Sequence, residues 1–365
     1  MSSKATIFYV LLLSIFVWSC TSDSQEELLI DSTNKVLDQQ QPDSESTEEL
    51  NIDILDFESR SGSGNCNNVI IVNGFAYASC NSQILIGELA TGEITSMSAS
   101  VINVTADAQR GLLFTYSGSQ IRMFTLENPT APEEVASTNA SFSIFTGFSA
   151  AGCTLAVSGG TSNTTVFRYS ANTFDLELTE NSIPPVDNVT GTPNVHVTQT
   201  GPSEVTAFYS QDIGAVANWA IQPAIFNGVA ELQSTPSRIV LTSGQFTGPF
   251  GAPFGPSNFP VESEYLDGRL YVAHFAVPGV EVIDVATGNL LPEIDLPYQP
   301  TNISTDGVSL FVVGVSNDEV DIIDPLTGDV IESLGSLNTP SSVAASETHI
   351  AVADQTLGLV IIPRS

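Results

Sequence analysis

The chain has 365 residues, 41 of them acidic and only 9 basic, for a formal net charge of −32, and 42% are hydrophobic. Holding a nucleic-acid backbone requires clustered Lys and Arg that displace counterions, so this balance excludes nucleic acid as a partner. The mutual repulsion of the acids favours a soluble, salt-tolerant surface and is compatible with affinity for cations.

The amino terminus opens with Lys4, then Ala5 to Trp18 runs almost wholly apolar, and Ser19 precedes Cys20. A membrane span needs about 20 apolar residues, so this shorter run reads as the apolar part of an export signal. Val17-Trp18-Ser19-Cys20 resembles a bacterial lipobox, with Trp18 an unusual occupant. The resemblance implies that residues 1–19 are a lipoprotein signal peptide and that the Cys20 thiol carries lipid. With about 0.8 kcal/mol per buried CH₂, several acyl chains hold a protein durably on a membrane. An ordinary secretory signal ending in cysteine is the other reading. Residues 20–49 are polar and acidic, too poor in apolar side chains to fold, and read as a disordered tether. Asp23, Glu26 and Glu27 just behind the cysteine resemble the export signal of Bacteroidota-type lipoproteins, which implies the bacterial outer membrane and the cell surface; a plain solvated linker would look the same.

From Leu50 to Ser365, short runs of Val, Ile, Phe, Tyr and Thr alternate with Gly, Pro, Asn and Asp clusters, an all-β pattern. A unit recurs at intervals of about 40 residues. Its clearest copy has strands over Gln299 to Thr305, Val308 to Val313, Glu319 to Asp324 and Asp329 to Leu334, and the copy before it has Pro260 to Leu266, Arg269 to His274, Val280 to Val285 and Asn289 to Leu296. The first copy begins at Val69 and turns at Asn73-Gly74, a dipeptide that permits the positive φ angles of a tight hairpin. Glu88, Asp284 and Asp324 each stand four before a glycine, where a carboxylate accepts turn N–H bonds; these acids read as structural. First-turn markers at Gly74, Gly111, Gly152, Gly201, Gly268, Gly307 and Glu347 predict seven units. Four-stranded antiparallel sheets at this period bury both faces by stacking radially, which predicts a seven-bladed β-propeller over residues 50–365. The last unit stops one strand short, and Leu50 to Phe57 is expected to close the ring as its outer strand, since an open apolar edge invites aggregation.

The run "PTNISTDGVSLFVVGVSNDEVDIIDPLTGDVIESL" resembles the YVTN-type propeller repeat, with proline opening the inner strand, an Asp-Gly turn, and an Ile-Asp-x-x-Thr-Gly segment. The similarity is strong over Pro260 to Leu334, fair over Val69 to Met97, and thin between. WD40 repeats match poorly, because their Gly-His and Trp-Asp pairs are absent.

Cys66 and Cys80 flank the Asn73-Gly74 hairpin within one residue of register, which favours a disulfide over two separately buried thiols. The longest loop is expected from Ser234 to Phe259, where Phe246, Phe250, Phe254 and Phe259 form either a contact patch or a plug folded onto the blades. His196, His274 and His349 fall on different strands without metal-site spacing, and no cofactor is called for, although a divalent cation remains open. Glu262 and Glu264 share one face of an inner strand beside the unit bearing His196; they are the channel candidates for acid–base or cation chemistry, with solvated channel-mouth side chains as the simpler reading. The leading expectation is a non-enzymatic, lipid-anchored binding or scaffold module that takes a protein or glycan of the cell envelope, or docks as a subunit of an envelope complex. The alternative, implied by relatives of the repeat family, is a lactonase-like hydrolase using Glu262, Glu264 and His196.

Overall fold

A computed structural model describes residues 64–140, 145–159, 163–183, 193–201, 204–211, 215–226, 229–241, 260–274, 278–285, 287, 290–314 and 317–364. Cys20, the tether, the expected strand over Leu50 to Phe57, and all four loop phenylalanines lie outside them.

The described residues form antiparallel sheets that follow one another along the chain. The first comprises β1 (Cys66–Val72), β2 (Phe75–Cys80), β3 (Gln83–Glu88) and β4 (Ile94–Ser98); the second β5 (Asn103–Asp107), β6 (Leu112–Tyr116), β7 (Gln120–Thr125) and β8 (Glu133–Asn139). The third is β9 (Phe145–Ala151), β10 (Thr154–Gly159), β11 (Asn163–Tyr169) and β12 (Leu176–Ile183); the fourth β13 (Pro193–Gly201), β14 (Glu204–Gln211), β15 (Ala215–Phe226) and β16 (Val229–Leu241). The fifth contains β17 (Pro260–Leu266), β18 (Arg269–His274) and β19 (Val280–Asp284), the sixth β20 (Pro300–Thr305), β21 (Leu310–Gly314), β22 (Val320–Ile323) and β23 (Val330–Leu334), and the seventh β24 (Pro340–Ala345), β25 (His349–Asp354) and β26 (Gly358–Pro363). Hydrogen bonding follows sequence order within each sheet, so every connection is a hairpin.

The turns explain this regularity. Asn73 and Gly74 hold φ of 49° and 82°, and Asp267 and Gly268 hold 49° and 78°, both dipeptides in the left-handed region that a two-residue hairpin requires. The Asp324 carboxylate accepts the N–H groups of Leu326 and Thr327 at 2.7 and 3.2 Å, and that of Asp284 accepts the Thr287 N–H at 2.6 Å. Glu88, one methylene longer, instead takes the Thr91 hydroxyl at 2.8 Å.

Among the described residues, neighbouring sheets share apolar layers. One core layer joins Phe114, Leu112 and Met123 of the second sheet to Leu155, Phe167 and Tyr169 of the third, with the Phe114 and Tyr169 rings 4.6 Å apart. Another joins Phe311, Val313 and Val320 of the sixth to Val352, Val360 and Ile362 of the seventh. The first and seventh sheets share a layer too, through Val69, Ala78 and Leu85 with Ala351, Leu359 and Ile361. First strands touch in succession, β1 to β5, β5 to β9, β9 to β13, β13 to β17, β17 to β20, β20 to β24, and β24 back to β1. Tyrosines of second strands tie adjacent sheets as well: the Tyr77 and Tyr271 hydroxyls donate to Pro129 O and Pro325 O at 2.9 and 3.0 Å.

Two expectations are corrected. The fourth strand expected over Asn289 to Leu296 is reduced to two isolated bridges, Ile283 to Leu290 and Val280 to Ile294, so the fifth sheet has three strands rather than four. Pro292 stands between the bridges and has no N–H to give a ladder. The loop expected from Ser234 begins later, because β16 continues to Leu241 and pairs with β15 along its whole length. Pro236 had the look of a strand breaker, yet it sits where the register shifts between Asn218 and Trp219, a bulge that tolerates a residue without a donor.

Candidate functional site

Two sets of side chains stand out from this scaffold: a clasp at one end of the sheets, and a row along the first strands.

The clasp lies where a first strand begins and the second strand of the same sheet ends. Four sheets repeat one arrangement there, pairing Cys66 with Cys80, Pro260 with His274, Pro300 with Gly314 and Pro340 with Asp354, each followed by a register shift. The chemistry differs at every copy. Cys66 and Cys80 are joined by a disulfide with Cα atoms 4.0 Å apart. In the sixth sheet Tyr298 and the Gln299 carbonyl fill the space that a side chain on Gly314 would occupy, and the Tyr298 hydroxyl donates to Asp321 at 2.5 Å. In the seventh, the fully buried Asp354 carboxylate accepts four backbone N–H groups, from Asn338, Thr339, Thr356 and Leu357, at 2.7 to 2.9 Å. In the fifth, the buried His274 Nε2 lies 3.1 Å from Glu281 Oε2, and Glu293 nearby is pushed above its ordinary pKa by burial and by Glu281 and Asp295. A disulfide, a packed tyrosine and a hydrogen-bonded carboxylate thus take the same place in different sheets.

The row follows from the edge of the first strands. One edge of such a strand pairs with its second strand, and every other N–H points off the opposite edge and needs an acceptor. The preceding sheet supplies one. Val104 N–H donates to Asn68 Oδ1 at 3.3 Å, Val197 N–H to Ser149 Oγ at 2.8 Å, Val343 N–H to Asn302 Oδ1 at 2.9 Å, and Val69 N–H to Ser342 Oγ at 3.3 Å. Each links a first strand to the next in the succession above. Sequence reasoning passed over these residues; the available signal was a polar side chain directly before a buried aliphatic in several first strands, as in Asn68-Val69, Asn302-Ile303 and Ser342-Val343.

The residues singled out for chemistry are placed as follows. His196 lies on β13, and Glu262 and Glu264 lie on the neighbouring β17, with the buried Ser263 between them facing the other way. Burial lowers the His196 pKa to about 4. Glu264 is pushed well above the usual carboxylate range, first by burial and then by the charge of Glu262. His274 and His349 lie elsewhere, at the end of β18 and the start of β25. Among the described residues, no three His, Cys, Asp or Glu side chains are placed to hold a metal ion.

Glu264 carries a pH prediction. A folded pKa above the unfolded one means that the unfolded chain releases its proton first, so this residue costs stability as pH rises from about 4.5 toward the folded value. Glu264→Gln is expected to raise the melting temperature at pH 7.5 and to leave it unchanged at pH 3.5. Equal shifts at both pH values in thermal unfolding would contradict this.

Neither a family model nor a curated protein matches the chain. Solved structures do. A chain of a mitotic checkpoint complex superposes with a TM-score of 0.58 at 9% identity, over 92% of this chain and 99% of that one. The computationally designed Ika8 protein gives 0.54 at 8% identity over 83% and 97%, and Saccharomyces cerevisiae Sqt1 gives 0.54 at 8% over 84% and 97%. This fold is propeller-like. In a propeller-like fold the clasped rim carries the connections between successive sheets and between second and third strands. At 8 to 9% identity the likeness bears on the fold alone.

Proposed function

We propose that the chain is a non-enzymatic binding or scaffold module, a seven-bladed propeller held by lipid on Cys20 at the bacterial outer membrane and exposed at the cell surface. Leu50 to Phe57 is proposed as the outer strand of the seventh blade. Supporting that closure, β26 is as buried as β22, with Leu359 to Ile362 all within 2% of full burial, although β22 has a strand outside it and no described strand lies outside β26. The YVTN-type resemblance of the strongest repeats fits the same architecture.

The observation that carries the binding reading is the clasped rim. A surface that presents loops for recognition gains affinity when those loops are pre-organised, and here a disulfide, a buried carboxylate with four N–H donors and a packed tyrosine fix their bases. The loop beyond Leu241, with Phe246, Phe250, Phe254 and Phe259, is the proposed contact, and its partner is a protein or glycan of the envelope. Propeller-like neighbours are compatible with a protein partner.

The test compares the full chain with a variant in which all four phenylalanines become serine. Crosslinking on intact cells, followed by identification of the captured envelope component, should give one partner for the parent and at least tenfold less of it for the variant. Unchanged capture would remove the loop from the reading. The placement of Glu262 and Glu264 beside His196 keeps a hydrolase as the second reading; lactone hydrolysis lost on Glu262→Ala with Glu264→Ala would favour it over the scaffold.

A further inference from the structure

Three of the four bonds between neighbouring first strands, those accepted by Asn68, Asn302 and Ser342, share one register. On two strands the acceptor directly precedes a residue whose own N–H donates to the previous sheet, Asn68 before Val69 and Ser342 before Val343. Carried round the remaining sheets, the same position is Asn103 on β5, His196 on β13 and Glu262 on β17, immediately before Val104, Val197 and Ser263. The register supports the equivalence for Glu262, since Asn68, Glu262, Asn302 and Ser342 are each the first residue after the register shift and pair with the penultimate residue of their second strand; His196 pairs with Phe208, further in, and is placed instead by its neighbour Val197, whose N–H donates to Ser149.

We propose that His196 and Glu262 are the inter-sheet latches of the fourth and fifth sheets, accepting the N–H groups of Ser263 and Ile303, so that the fifth sheet alone is held on both sides by titratable side chains. The inference rests on the propeller reading only for the succession of the sheets, and it gives the two channel candidates a positioning role rather than a catalytic one.

The chemistry fits the position. A neutral imidazole keeps one ring nitrogen as an acceptor, whereas the protonated ring has none. In the structure the Ser263 N–H donates to a Glu262 carboxylate oxygen at 3.3 Å; in the proposed latch the neutral imidazole takes over that N–H and leaves Glu262 for Ile303. Burial keeps His196 neutral until acid pH. The titratable neighbours are few. β17 adds Glu264, β14 carries Glu204, β18 carries Arg269 and His274 at its two ends, and β11 carries Arg168, while β9, β10, β20 and β24 carry no carboxylate, imidazole or basic group. At the other latch positions stand Asn or Ser, which do not titrate in this range.

The sign follows. The folded pKa of His196 lies below the unfolded value of 6.5, so its contribution is full above pH 6.5 and is lost as pH falls toward about 4. Acid therefore loosens the seam between the fourth and fifth sheets.

The experiment measures thermal unfolding of the full chain at pH 7.5 and pH 4.5, with amide exchange of Ser263 and Ile303. His196→Asn installs the acceptor that the first and sixth sheets use. It should melt within about a degree of the parent at pH 7.5 and several degrees above it at pH 4.5, with Ser263 protected at both. His196→Ala should melt lower at pH 7.5 by roughly 2–6 °C and leave the Ser263 amide at least tenfold less protected. Glu262→Gln should keep Ile303 protected and Glu262→Ala should not. If His196→Asn falls as far as His196→Ala at pH 7.5, or loses stability in acid as steeply as the parent, the latch assignment is overturned; should His196→Asn fail to fold, the Ile303 protection in the two Glu262 variants decides in the same way.

Discussion

Asp354→Ala is expected to destabilise the protein by about 3–5 kcal/mol, on the scale of breaking a buried charged network. The carboxylate is fully buried and takes two N–H groups on each oxygen, Thr356 and Leu357 on Oδ1 and Asn338 and Thr339 on Oδ2. Alanine removes all four acceptors at once and leaves donors with little access to water. Asp354→Asn keeps one oxygen and should lose about half as much. Urea unfolding of the three proteins checks this, and an alanine variant within 1 kcal/mol of the parent would mean that water replaces the carboxylate.

The second large effect is expected from Cys66→Ala combined with Cys80→Ala. The bridge closes a loop across a sequence separation of 14, and restricting the unfolded chain over such a loop contributes about 3 kcal/mol. Both residues are fully buried, so their small side chains are replaced with little cavity. Adding a thiol reductant should shift the urea midpoint of the parent down at least to that of the double variant. A parent insensitive to reductant at equilibrium would show that the bridge contributes little.

Local turn chemistry made much of the fold legible. Asn73-Gly74 and Asp267-Gly268 mark hairpins because so few residues accept their backbone angles, and the pattern on either side then fixes which residues meet. The Cys66–Cys80 pairing came from that counting, and the single residue of mismatch is absorbed by the shift between Cys66 and Asn68. Where rules act over longer range, reading failed. Pro236 breaks a regular strand but not a bulged one, and nothing local to Ser234 announces the bulge, which is set by Asn218 and Trp219 across the sheet. The first-strand row was hidden for a related reason. Alternation tells which side chains share a face, but the acceptor for the Val343 N–H is Asn302, on another sheet, and only coordinates show what lies across a seam. Glu262 and Glu264 lie on β17 and His196 on the neighbouring β13, while their roles depend on which backbone donors stand opposite.

The bond from Val69 N–H to Ser342 Oγ joins residues 273 positions apart. Contacts of such separation make folding slow, because a long loop must close before the contact contributes anything. During synthesis the first sheet is therefore complete long before its partner exists, and one of its faces, carrying Val69, Ala78 and Leu85, stays bare until the seventh arrives. For that interval the nascent chain is a sticky half-product, and the acidic excess of the sequence, −32 when complete, opposes contact between copies of it.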